Sequence, residues 1–136
     1  MASVKWHQLA LNPQALDTIY VDVPKLENVE LFAINLNREG SNIEIRFDLP
    51  HFPEHPSKRW NPEFNTVQVK LIFWTVTNFE AKGWQSEMIV QIDMKKKEDL
   101  INVVVSASKI DLMFSFSCEM FRIENITAYQ NLKQTY

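Results

Sequence analysis

Asn42–Pro62 reads NIEIRFDLPHFPEHPSKRWNP, and two patterns meet inside it. Through Leu49 the residues alternate: Ile43, Ile45, Phe47 and Leu49 share one side, and Asn42, Glu44, Arg46 and Asp48 share the other. A period of two marks a strand with one face in a core and one facing water. Beyond it, four of the chain's six prolines fall between Asp48 and Pro62. Proline fixes φ and donates no backbone hydrogen bond, so Asp48–Pro62 is neither helix interior nor central strand. It is expected to form an ordered, semi-rigid loop on a β scaffold, a position where recognition usually resides.

The alternation extends outward on both sides. Val29–Asn37 carries apolar residues on both faces, as a doubly covered central strand does. Arg38-Glu39-Gly40-Ser41 reads as a hairpin turn, with Gly40 at positive φ. Downstream, strand patterns run over Thr66–Glu80, Met88–Lys96, Leu100–Ser108, Ile110–Cys118 and Arg122–Tyr129. Ala81-Lys82-Gly83 and the polar run Lys95–Asp99 supply turns, and the tail after Tyr129 is expected to fray. Upstream, Asn12-Pro13 sets an N-cap before a first-turn proline. It predicts a helix over Pro13–Tyr20, striped by Ala15, Leu16, Ile19 and Tyr20 and ended by Pro24. The fold class is α+β, mostly β: one short N-terminal helix and about seven antiparallel strands in a curled sheet or sandwich. The 136 residues form one domain by length.

Composition narrows the function classes. The formal net charge of −3 argues against nonspecific nucleic-acid binding, which needs a basic face, and leaves room for a basic protein partner. The single cysteine, Cys118, cannot form an internal disulfide, so nothing asks for an oxidising compartment. The first residues carry no signal-peptide pattern, and no apolar run approaches the roughly 20 residues of a bilayer span. A cytoplasmic protein with no membrane partner is expected. An exposed edge strand would let it pair with a second copy, so a homo-oligomer stays open.

No residue cluster offers a reaction. His51 and His55 flank Glu54, but prolines at 50, 53 and 56 forbid the helix that would bring them to one face. Cys118 ends the apolar alternation FSFSC and reads as a small buried hydrophobe. Glu44 and Asp48 stand ~13 Å apart by strand rise, too far for a hydrolase pair. The two glycines, Gly40 and Gly83, are too far apart to cradle a phosphate. The sequence therefore places no catalytic residue, no cofactor and no metal. Trp60 in the loop and Trp84 after Gly83 are both expected to pin loops to the body. Residue chemistry alone goes no further than a strand-rich domain with an unusual loop.

One further pattern spans Leu11 to Trp84. LNPQALDTIY precedes VPKLENVELFAINLNREGSNIEIRFDLPHFPEHPSKRW, then FNTVQVKLIFW and, ten residues on, GW. The specific parts are Phe47–Pro50, Phe52-Pro53, Pro56, Trp60 and Phe64–Val69. This resembles the immunity protein 50 family of bacterial polymorphic toxin systems. At Pro56-Ser57 the chain departs from the two adjacent prolines of that pattern. The resemblance implies a small, cytoplasmic, non-catalytic protein that binds and neutralises a cognate toxin. It carries over no binding residue. The loop and the polar strand edge leading into it are the expected contact surface: Glu44, Asp48, His51, Glu54, Lys58, Arg59 and Trp60. The alternative is a small-molecule or carbohydrate-binding β-domain, with Phe52, Trp60 and Trp84 lining a cleft under the loop.

Overall fold

The computed structural model describes residues 4–107 and 109–132. Eight antiparallel strands make one open sheet: β1 Val29–Asn37, β2 Asn42–Asp48, β3 Thr66–Trp74, β4 Thr77–Lys82, β5 Ile89–Lys97, β6 Leu100–Ser106, β7 Met113–Cys118 and β8 Met120–Tyr129. Their order across the sheet is β4-β7-β6-β5-β1-β2-β3-β8. Both ends of that order are tied together by the chain. Only Thr75 and Val76 link β3 to β4, and only Glu119 links β7 to β8. Links that short cannot cross a flat sheet, so the sheet curls until its two ends meet. Phe73 of β3 then lies edge-to-face with Phe116 of β7, ring centroids 5.0 Å apart. The expected mostly-β, curled antiparallel fold is what the chain adopts.

The core lies inside the curl. Ile43, Ile45 and Phe47 of β2, Val67, Val69, Leu71 and Phe73 of β3, and Phe121 and Ile123 of β8 all point into it. Phe47, Phe73 and Phe121 are fully buried, each stabilising the fold by roughly 1.5–3 kcal/mol through its apolar surface. β1 pairs with β5 only at Val29 and Glu30. Beyond that point the two strands diverge. The N-terminal segment packs into the same core there, with Trp6, Leu16, Ile19, Tyr20, Val23 and Leu26 buried. Trp6 Nε1 donates to the Pro24 carbonyl at 3.0 Å, and its ring meets Phe47 edge-on.

Four elements differ from the sequence expectation. β1 is not covered on both faces: Phe32 and Leu36 are exposed. The helix over Pro13–Tyr20 is one α turn, α1 Gln14–Asp17, preceded by a 3₁₀ turn at Trp6–Leu9. Asn12 does not cap that turn with its side chain. Its amide instead forms two hydrogen bonds, both 2.9 Å, with the Ile123 backbone, and Leu11 N–H donates to the Phe121 carbonyl. A segment that must serve the β8 edge in this way has no room to propagate a helix.

The single strand expected over Thr66–Glu80 is two, β3 and β4, split at a corner where Thr75 takes φ 56°. Ser41 staples that corner. Its hydroxyl donates to the Val76 carbonyl at 2.8 Å, and Val76 N–H donates to the Ser41 carbonyl. The strand expected over Ile110–Cys118 starts only at Met113. Residue 108, at the end of another expected strand, and residues 133–136 of the tail lie outside the described residues. Gly83 sits where a Cβ would fall 1.7 Å from the Asp111 carbonyl oxygen, so no other residue fits that crossing.

Candidate partner-binding surface

The proline loop is ordered because the N-terminal segment holds it. His55 N–H donates to the Ile19 carbonyl at 3.0 Å. Tyr20 Oη donates to the His51 carbonyl. Val21 N–H donates to Glu54 Oε2 at 3.1 Å. Pro53 is buried, and Phe52 and Trp60 pack on each other and on the core, ring centroids 6.1 Å apart. Trp60 therefore pins the loop, as expected. Trp84 does not pin anything: it is 68% exposed, touching Phe114 only edge-on. Phe52 and Trp60 are thus committed to packing and do not join Trp84 in a cleft.

The remaining candidates fall in two places. His51, Glu54, Lys58 and Arg59 are exposed along the loop, with Lys58 and Arg59 in a turn just before Trp60. Glu44 and Asp48 project from the outer face of the sheet. Their surroundings there come from strands far apart in sequence. The outward row at one level is Glu30, Asp48, Gln68 and Thr127, and at the next it is Ala33, Arg46, Lys70 and Asn125.

Asp48 was expected to face water; it is 3% exposed. Tyr129, from β8, closes over it and donates its hydroxyl hydrogen to Oδ2, while Gln68 Nε2 donates to Oδ1 at 3.1 Å. Desolvation raises its pKa above the ordinary carboxylate value, opposed by the hydrogen bonds from Tyr129 and Gln68 and by the charge of Arg46. Burial, followed by the hydrogen bond to Asp48, raises the Tyr129 phenol too, so it remains a donor at neutral pH. Glu44 is half-buried, 3.8 Å from Lys70 Nζ and 3.5 Å from Asn35 Nδ2.

Arg46 lies on the polar face of the strand alternation, and the structure gives it partners there. Its Nη1 donates to Gln68 Oε1 at 3.0 Å, and its guanidinium lies 5.7 Å from the centroid of Phe32, a cation–π arrangement. Two shallow hollows of about 100 and 50 Å³ open on either side of it, and Arg46 and Lys70 line both. Alternation marks Glu44, Arg46, Asp48, Gln68 and Lys70 as outward. Ala33, Asn125, Thr127 and Tyr129 reach that face only because the pairing slips by one residue, in β1 between Leu31 and Ala33 and in β8 between Ile123 and Asn125. What alternation cannot supply is the strand order that sets β8 against β3.

Among the described residues, no group of three or more His, Cys, Asp or Glu side chains could hold a metal ion. Cys118 is fully buried, and desolvation pushes its thiol up to about 12. No helix among the described residues is long and apolar enough to cross a membrane.

The chain thus combines an open, curled β-sheet with a tethered loop and a polar outer face. The sequence model of the family Immunity protein 50 matches residues 12–129, and the chain belongs to that family. A search of curated proteins and a search of solved structures each returned no match.

Proposed function

We propose that this chain is an immunity protein that binds a cognate bacterial toxin of a polymorphic toxin system and neutralises it by occlusion, without catalysis. The observation that carries this reading is the family match across most of the chain. The architecture supports it. A blocking protein needs a rigid scaffold and a preorganised surface, and a loop already tethered at His51, Glu54 and His55 loses little entropy on docking. The contact surface in this reading is the loop with the adjoining sheet face. Lys58 and Arg59 contribute from the exposed turn before Trp60. Glu44 contributes from the strand, and Asp48 and Trp60 hold their neighbours in place. The net charge of −3 would speed encounter with a basic toxin domain. The site of action is the cytoplasm, where a lone thiol needs no oxidant.

Small-molecule binding finds less support. Sites for such ligands usually measure about 300–1,000 Å³. The hollows on this face are smaller, and two of the three aromatic rings once assigned to a cleft are packed away. The decisive experiment is co-expression with the toxin encoded in the neighbouring reading frame. Cells carrying both should grow where cells carrying the toxin alone die; death in both cases would end the reading.

A further inference from the structure

The outer sheet face contains a buried carboxylate that no packing argument requires. An aspartate removed from water costs free energy unless it is hydrogen-bonded, and a polar residue on a solvent-side position could simply remain solvated. Asp48 is instead covered by Tyr129, and its two oxygens are occupied. The arrangement has a directional consequence. Asp48 accepts, so Gln68 must turn its NH₂ toward it, which aims Gln68 Oε1 at Arg46. Phe32, pushed out by the β1 irregularity between Leu31 and Ala33 and 42% exposed, lies against the guanidinium. Ala33, directly opposite Arg46, is too small to fill the space beside it. Arg46 is thus held at two points. Among the described residues, no carboxylate lies within 4.0 Å of it.

We propose that Arg46, positioned by the Tyr129–Asp48–Gln68 relay and flanked by Lys70, is the anchor that receives an acidic side chain of the toxin. The inference rests on the immunity reading and moves the energetic centre of the interface from the loop to the sheet face. A planar guanidinium with free donors matches a carboxylate in bidentate geometry. Arginine is among the residues that dominate interface energies when set in a preorganised, partly apolar surround. Phe32 and Ala33 supply that surround. The carboxylates nearby are already engaged, Asp48 by Tyr129 and Gln68 and Glu44 by Lys70 and Asn35, so Arg46 keeps its remaining donors for a partner's carboxylate.

The test is titration calorimetry of the full chain against the purified toxin encoded beside it. Arg46→Gln should weaken binding by roughly tenfold or more, the range expected of an interface hot spot, and Arg46→Glu should weaken it further. The thermal unfolding midpoint of Arg46→Gln should stay at the wild-type value, which keeps the test readable if Arg46→Glu folds poorly. A double variant, Lys58→Glu with Arg59→Glu, serves as the loop comparator. Wild-type binding with unchanged affinity in Arg46→Gln would overturn the anchor while leaving neutralisation intact, and loss in the loop variant alone would place the centre on the loop. No binding by the wild type would overturn both readings. Binding of a mixed-sequence oligonucleotide by the wild type, lost in Arg46→Gln, would overturn the anchor in favour of a phosphate.

Discussion

Asp48 shows how one side chain can have its solvation decided by a residue 81 positions away. Its folded-state pKa is raised, so between the ordinary carboxylate value and that raised value the native chain binds more protons than the unfolded one. Stability from this group therefore rises as pH falls through that window and declines as pH climbs out of it. The surrounding groups are Arg46 on its own strand, Glu30 and Gln68 on the paired strands, and Tyr129 on β8. Asp48→Asn should abolish this contribution: the difference in unfolding free energy between variant and wild type should shrink in the wild type's favour as pH drops from 7 toward about 4. Urea unfolding at several pH values measures it, and a difference independent of pH would show that Asp48 is not desolvated. The outward direction of Asp48 was legible in NIEIRFDL. Its burial was not, because nothing in that octet announces the tyrosine that covers it.

At the scale of elements, the β8 edge is guarded by a segment that the sequence presents as the start of a helix. Exposed strand edges invite pairing with other chains. Asn12 meets Ile123 with both its donor and its acceptor, as a neighbouring strand would, and Leu11 extends the pairing to Phe121. Asn12→Ala should cost about 1–3 kcal/mol, since it leaves a partly buried backbone N–H and carbonyl unsatisfied. It should also raise self-association. Thermal denaturation and analytical ultracentrifugation check the two effects, and loss of stability without association would confine Asn12 to an internal role. Asn-Pro followed by Ala and Leu carries a sound local helix signal, and tertiary pairing overrides it. The corner at Thr75 was hidden for a related reason. A β-branched residue at positive φ goes against local preference, and groups distant in sequence hold the corner: Ser41 bonded to Val76 and Glu119 N–H donating to the Trp74 carbonyl.

For the molecule as a whole, the seam is where strands at opposite ends of the sheet order pack together. Cys118 sits at that seam, one residue before the chain passes to β8, fully buried and with its thiol pushed up to about 12. Iodoacetamide at neutral pH should label it only at the rate set by global unfolding, and labelling should become fast in guanidinium. Rapid labelling of the native protein would mean that the seam opens on its own. Most strands and most inward residues were legible in the sequence because alternation is local; the corner at Thr75 and the bulge in β1 were not. The outer face was legible only as a set of polar positions. Which of them become neighbours depends on β8 lying beside β3, and that follows from the curl. This has a bearing on the living cell. Tyr129, Asn125 and Thr127 come from the last strand of the sheet to be translated, so the surface around Arg46 is finished only as synthesis of that strand ends. In the proposed immunity role, a nascent or prematurely stopped chain that lacks β8 would present Arg46 in an incomplete mould.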